Sequence, residues 1–149
     1  MNNQPLQKTA TSINLIWAAL LASTIIYVIL AFVLSRTGWK AILDPALSQV
    51  LMGIFLALSL IDVMVVSWLK KKSFHEELPS VPAGEAQRKF IVSRSVFLFA
   101  LSEVPSILGL VTFFLSGNLV MMLVFWVLSF ISFLTARPSA NVLNQVDHR

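Results

Sequence analysis

Four stretches of the chain carry almost no charge over the length that a helix needs to cross a lipid bilayer: about 13–34, 47–69, 95–115 and 119–134. Each approaches the roughly 20 apolar residues that cover hydrocarbon at about 1.5 Å per residue. Only Ser116-Gly117-Asn118 separates the last two runs, so a tight turn is expected there. The second and third runs are joined by a polar segment, 70–94, that opens KKKSFHEELPSVPAGEAQRKF. Its prolines, glycine and mixed charges predict a linker ordered at its ends rather than a separate domain. The pattern as a whole predicts an all-α fold: one four-span membrane domain, 1–149, built as a four-helix transmembrane bundle. The first run exceeds the ~7–15 apolar residues of a signal peptide and is preceded by one basic residue, Lys8, so a retained helix is expected.

Composition agrees. Hydrophobic residues make up 57% of the chain and charged residues 12%, where a soluble domain is about a quarter charged, and the mean hydropathy is +0.82. The absence of cysteine excludes disulfides, thiolate metal sites and thiol nucleophiles. The net charge of +4 is modest, but its distribution is one-sided. Four spans put both termini and the middle segment on one face, and that face holds nine of the eleven basic residues: Lys8, Lys70, Lys71, Lys72, Arg88, Lys89, Arg94, Arg137 and Arg149. Arg36 and Lys40 are left on the other. Positive residues accumulate on the cytoplasmic side, so both termini are expected in the cytoplasm, with a bacterial inner membrane as the expected location. A glycine-rich phosphate loop, an H-E-x-x-H pair and a nucleophile elbow are all missing. The expectation is therefore a non-enzyme without cofactor or metal site, embedded in lipid and not bound to nucleic acid. His75 and His148 are expected in solvated polar segments. Trp39 and Trp68 fit interfacial positions, while Trp17, Trp126 and Tyr27 are expected as packing or lipid-facing residues.

Two acidic residues fall inside the apolar runs, Asp62 and Glu103. An ionised aspartate at the centre of a membrane helix costs at least ~2.5–3.5 kcal/mol, so such groups are protonated, paired, hydrated or ion-bound, and they mark function. Asp62 precedes Lys70 by eight residues and Glu103 follows Arg94 by nine, about 12 Å and 13–14 Å of helix rise respectively. If Lys70 and Arg94 both mark the cytoplasmic interface, the two carboxyls share one level and are candidates for a proton-sharing pair. If the third helix begins instead at Lys89, Glu103 lies deeper and that pairing fails. A helix-packing role for Asp62 stands beside this. Around Glu103, Pro105 lacks the N–H that would bond the Leu101 carbonyl, and Ser102 and Ser106 add hydroxyls. Carboxyl, hydroxyl and carbonyl oxygens suit a proton or a small hard cation. The candidate ion-binding set is thus Glu103, Asp62, Ser102, Ser106 and the Leu101 carbonyl. A packing role is the alternative, since Ser102, Ser106 and Gly109 also form a small-residue stripe.

The stretch ALSEVPSILGLV, residues 100–111, resembles the ion-carrying helix of the rotary ATP synthase proteolipid, the c subunit. That family's pattern runs close to A-L-x-E-x-x-x-I-x-G-L-V, matched here by Ala100, Leu101, Glu103, Ile107, Gly109, Leu110 and Val111, with LSGN following. The resemblance covers about one helix, residues 100–118. It implies that Glu103 reversibly carries H⁺ or Na⁺, and that the chain works as a homo-oligomer or beside other membrane subunits. The glycine-rich inner helix of that family has no counterpart: the second run offers only Gly53, and Pro105 is an addition. Two other classes stay open, a non-catalytic accessory or assembly subunit of a membrane complex and a small proton-coupled exchanger.

Overall fold

A computed structural model describes residues 4–139 and 142, with side chains described from residue 11 onward. Four long helices follow in order: α1 (Gln4–Arg36), α2 (Pro45–Lys71), α3 (Glu85–Ser116) and α4 (Leu119–Ala136). All four are long and apolar enough to cross a membrane, and no strand occurs among the described residues. The chain is a multi-pass, all-helical membrane protein.

The helix ends follow from local chemistry. Asp44 caps α2, its carboxylate accepting from Ala46 N at 2.9 Å, with Pro45 in the first turn where its missing N–H costs nothing. Gly117 ends α3 in the left-handed region at φ 67°, and its N–H bonds Phe113 O at 2.7 Å. Asn118 then caps α4 through Met121 N at 3.1 Å. Replacing Asn118 with Ala is expected to cost about 1 kcal/mol, read as a lowered thermal midpoint in detergent. The 37–44 loop closes over the same end: Ile42 N and Leu43 N both donate to Leu115 O at 3.1 Å, while Trp39 Nε1 donates to Phe114 O at 3.3 Å. These bonds satisfy carbonyls that the last turn of α3 would otherwise leave open.

The 70–94 segment is more regular than its prolines predict. The chain leaves α2 through a π-helical turn, Lys72–Glu77, and a 3₁₀ turn, Leu78–Ser80, and it re-enters helix at Glu85. Thus α3 begins ten residues before the expected span. Proline is tolerated where a helix starts, and Pro79 stands in the first turn of the 3₁₀ segment. Phe74 and Leu78 are buried in the core, so the segment is held down by apolar packing. Arg94 bonds Glu77 at 3.0 Å across it, and Glu85 pairs with Lys89 on the helix surface.

Successive helices run antiparallel, with α3 and α4 central. Each of α1 and α2 packs on both of them, and α1 and α2 scarcely meet. The outer faces of the flanking helices are apolar and open, Leu15 and Met64 being about 70% and 71% exposed, as lipid contact requires. At the end holding the chain termini, the core joins Ile13, Val66, Ile91, Leu98, Phe99 and Phe133. At the other end, Ala31, Phe113 and Met122 form a second cluster with Tyr27, Leu110 and Phe114 around it. Between the two clusters, α3 presents Ser102, Glu103, Pro105 and Ser106. A group of polar residues on α3 thus lies between two apolar clusters.

Candidate functional site

The site is built first from α1. Ser23 and Tyr27 are four residues apart and so lie on one helix face, and both reach Glu103. Ser23 Oγ lies 2.5 Å from Glu103 Oε1, and Tyr27 Oη donates to the same oxygen at 2.7 Å. Ser23 Oγ also lies 2.6 Å from the carbonyl of Leu20 in its own helix. Tyr27, expected as a packing residue, is thus a direct partner of the carboxyl, while its ring packs against the apolar cluster beside it. Its single phenol can serve both because the ring is apolar and the tip is polar.

Ser102 and Ser106, expected around Glu103, face elsewhere. Ser102 is fully buried against α4: its hydroxyl donates to Leu98 O at 2.9 Å and accepts from Ser132 Oγ at 3.1 Å. Ser129 Oγ donates to the Ser102 carbonyl at 2.6 Å. Hydroxyls of α4 thus engage the carbonyl beside Leu101, and no side chain among the described residues donates to the Leu101 carbonyl itself. Ser106 Oγ is buried with no hydrogen-bond partner among the described residues. One turn on, Gly109 lets the helices touch: a Cβ there would sit 2.6 Å from Phe125 Cβ and 3.0 Å from Met122 Sδ. Ser102, Ser106 and Gly109 are all buried on α3, and Ser102 and Gly109 make the contact with α4. The physical reason is angular: consecutive helix residues turn by about 100°, so Ser102 points to α4 when Glu103 points to α1.

Asp62 occupies another interface. Ser48, Ser59 and Val66 mark the buried face of α2, at the four- and three-residue steps that also take in Phe55 and Asp62. Ser48, Met52 and Phe55 line a cleft shared with Thr112 and Leu115 of α3. Asp62 Oδ2 is buried without a hydrogen-bond partner among the described residues, and no hydrogen bond joins it to Glu103. The structure therefore brings Glu103 to α1 and leaves Asp62 on α2, with no hydrogen bond between the two carboxyls among the described residues.

The remaining polar groups tie the bundle ends. Trp17 Nε1 donates to Phe133 O at 3.4 Å, and Arg137 lies over the Trp17 ring at 5.5 Å. Lys70 Nζ donates to Thr135 O at 2.7 Å in the last turn of α4, where a cation suits the helix dipole. Lys72 covers Trp68 at 5.1 Å. His75 is exposed, and His148 lies outside the described residues. Among the described residues, no three His, Asp or Glu side chains gather as metal ligands. Comparison with known proteins adds no relative: no protein-family model, no curated protein and no solved structure matches the chain.

Proposed function

We propose that this membrane protein binds and transfers H⁺ or Na⁺ at Glu103, in the manner implied by the likeness of residues 100–111 to the ATP synthase proteolipid. The observation that carries this reading is the junction of Glu103 with Ser23 and Tyr27, a lone carboxyl of α3 met by two hydroxyls of α1 between two apolar clusters. A carboxyl in that setting is costly to keep charged, and hydroxyl partners let it take up or release a proton without leaving the bundle. The charge distribution supports both termini and the 70–94 segment on the cytoplasmic side of a bacterial inner membrane. The open apolar faces of α1 and α2 are suited to lipid, to further copies of the chain or to other membrane subunits.

A second reading draws on the same bonds. Hydroxyl contacts that satisfy a carboxyl also lock α1 to α3, as an accessory subunit of a membrane complex would need. Carbodiimide labelling separates the two, because the reagent needs a carboxyl that takes up a proton. For a carrier, labelling is expected selectively at Glu103, mapped by peptide mass, with protection by Na⁺ if sodium is the ion. An unlabelled Glu103 across the pH range sinks the carrier and leaves the lock. Native mass spectrometry tests the assembly separately: a monomer in mild detergent would refute the oligomer.

A further inference from the structure

Three short oxygen–oxygen contacts meet around Glu103: Tyr27 Oη to Oε1 at 2.7 Å, Ser23 Oγ to Oε1 at 2.5 Å, and Ser23 Oγ to Leu20 O at 2.6 Å. All three lie in the range of O–H···O hydrogen bonds, and one hydrogen shared between two acceptors would lengthen both contacts, so 2.5 and 2.6 Å at Ser23 fit a separate hydrogen in each. The two hydroxyls supply two hydrogens for three contacts. The Leu20 carbonyl supplies none. The third hydrogen has one source, the carboxyl group of Glu103 itself.

We infer that the ligand at Glu103 is a proton held in a directed chain, Tyr27 O–H to Glu103, Glu103 O–H to Ser23 and Ser23 O–H to the Leu20 carbonyl, and that the Ser23 hydroxyl reverses when the proton leaves. This rests on the reading of Glu103 as an ion-binding carboxyl and fixes which ion it takes. In the protonated state every contact is filled. When the proton departs, Ser23 turns its hydrogen from Leu20 O to the carboxylate. The Leu20 carbonyl keeps its place in the ladder of α1, because a serine bond to the carbonyl three residues back is an addition to helical bonding. The carboxylate gains a second donor, and a hydrogen bond to an ionised oxygen is about twice as strong as one to a neutral group. Both states are thus satisfied by one hydroxyl rotation, with no movement of either helix.

The same distances disfavour a metal cation. Hard cations sit about 2.0–2.6 Å from each oxygen they bind and hold those oxygens apart by their own bulk. Oxygens 2.5–2.7 Å from one another share a hydrogen instead. No further ionisable side chain crowds the carboxyl. Helix α1 brings Tyr27 alone, α4 carries no ionisable residue, Asp62 of α2 makes no hydrogen bond to Glu103, and Arg94 stands nine residues away along α3 where it bonds Glu77.

Infrared spectroscopy of the full chain in lipid vesicles tests this, with the protonated carboxyl band of Glu103 assigned by its loss in Glu103→Gln. Ser23→Ala removes the acceptor of the neutral acid and a donor to the anion. The acid band is therefore expected to move towards that of an acid without a partner. Ser23→Thr, which restores a hydroxyl, is expected to return it towards wild type. Tyr27→Phe removes a donor to the acid and leaves its O–H bonded to Ser23, so a shift of the band in that variant keeps the test alive if Ser23→Ala does not fold. A band unmoved by Ser23→Ala, or by Tyr27→Phe where that variant stands in, would overturn the chain while leaving Glu103 as an ion site. A band that weakens at fixed pH as NaCl replaces choline chloride would overturn the choice of proton. Absence of the band at every pH, together with no response of the carboxylate to NaCl, would remove the ion-binding reading itself.

Discussion

Glu103→Gln is expected to abolish carbodiimide labelling of α3 and all proton exchange at the site, while leaving the bundle folded. The amide keeps an oxygen and a nitrogen in place of the carboxyl that meets the Ser23 and Tyr27 hydroxyls at 2.5 and 2.7 Å, so the contact between α1 and α3 survives. What is lost is the exchangeable proton, and with it the charge-assisted bonds of the deprotonated state, at a cost in stability of about 1 kcal/mol. Glu103→Leu is the contrasting variant. It leaves Tyr27 with a phenol facing apolar side chains, whereas Ser23 retains the Leu20 carbonyl at 2.6 Å. An orphaned hydroxyl costs about 1–3 kcal/mol when fully buried and less at the half-buried Tyr27, and the α1 side of the bundle should become protease-sensitive. The pair of variants divides the two functional readings. If Gln destabilises as much as Leu, the carboxylate charge is structural and the carrier falls. If Gln stays close to wild type in stability and the wild-type protein takes the carbodiimide label at Glu103, then Glu103 exchanges a proton that the fold does not need.

The existence and number of the helices were legible because the bilayer imposes a length and a composition that leave few alternatives. Asp44-Pro45 and Gly117-Asn118 also carried their meaning openly, since each needs only its own neighbours in the chain. The 70–94 segment is helical at both ends, as a linker ordered at its ends should be, but how far that order extends was hidden, because proline-based breaking is a local rule and the burial of Phe74 and Leu78 is a tertiary fact. The site was half legible. Glu103 was visible as a charge in an apolar run, and along α3 it falls between residues of the two apolar clusters. Its partners were not, because neighbours in sequence need not be neighbours around a helix. Ser102, one residue away, points to Ser132 on α4. Ser23 and Tyr27, some eighty residues away, supply the hydrogen bonds. A signal for them existed: Tyr27 is the only tyrosine in the chain, and it stands four residues from a serine in an otherwise apolar run, which places two hydroxyls on one face of α1.

The arrangement has a consequence for how the site is held. Glu103 is fixed from one side by α1, and α3 is fixed from the other by α4 through Ser129 and Ser132. Pro105 stands two residues beyond Glu103 and removes the N–H that would bond the Leu101 carbonyl, loosening the helix beside the place where it is supported from outside. The α4 hydroxyls therefore compensate a weakness that the proline introduces, and they set the rotation of α3 that aims Glu103 at α1. The close approach at Gly109 belongs to the same device.

Gly109→Val is accordingly expected to have the largest effect of any single substitution on the α3–α4 contact. Even one added carbon would lie 2.6 Å from Phe125 Cβ and 3.3 Å from the Met122 carbonyl, and neither is the free end of a flexible side chain. Backbone must move, and overpacking of this kind costs about 1–3 kcal/mol or more, here enlarged because the Ser102 bonds to Ser129 and Ser132 lie less than two turns away and open with the helices. Valine also cannot relieve the clash by changing rotamer, since its branch begins at Cβ. Thermal unfolding in detergent should show the loss of stability, and Gly109→Ala should fall between Val and wild type. The decisive measurement is made at Glu103. If α4 sets the rotation of α3, Gly109→Val shifts the infrared band of the Glu103 acid although residue 109 touches neither Ser23 nor Tyr27. A variant that loses stability while that band stays fixed would show that the α3–α4 contact and the carboxyl site are independent, and that α1 alone holds Glu103 in place.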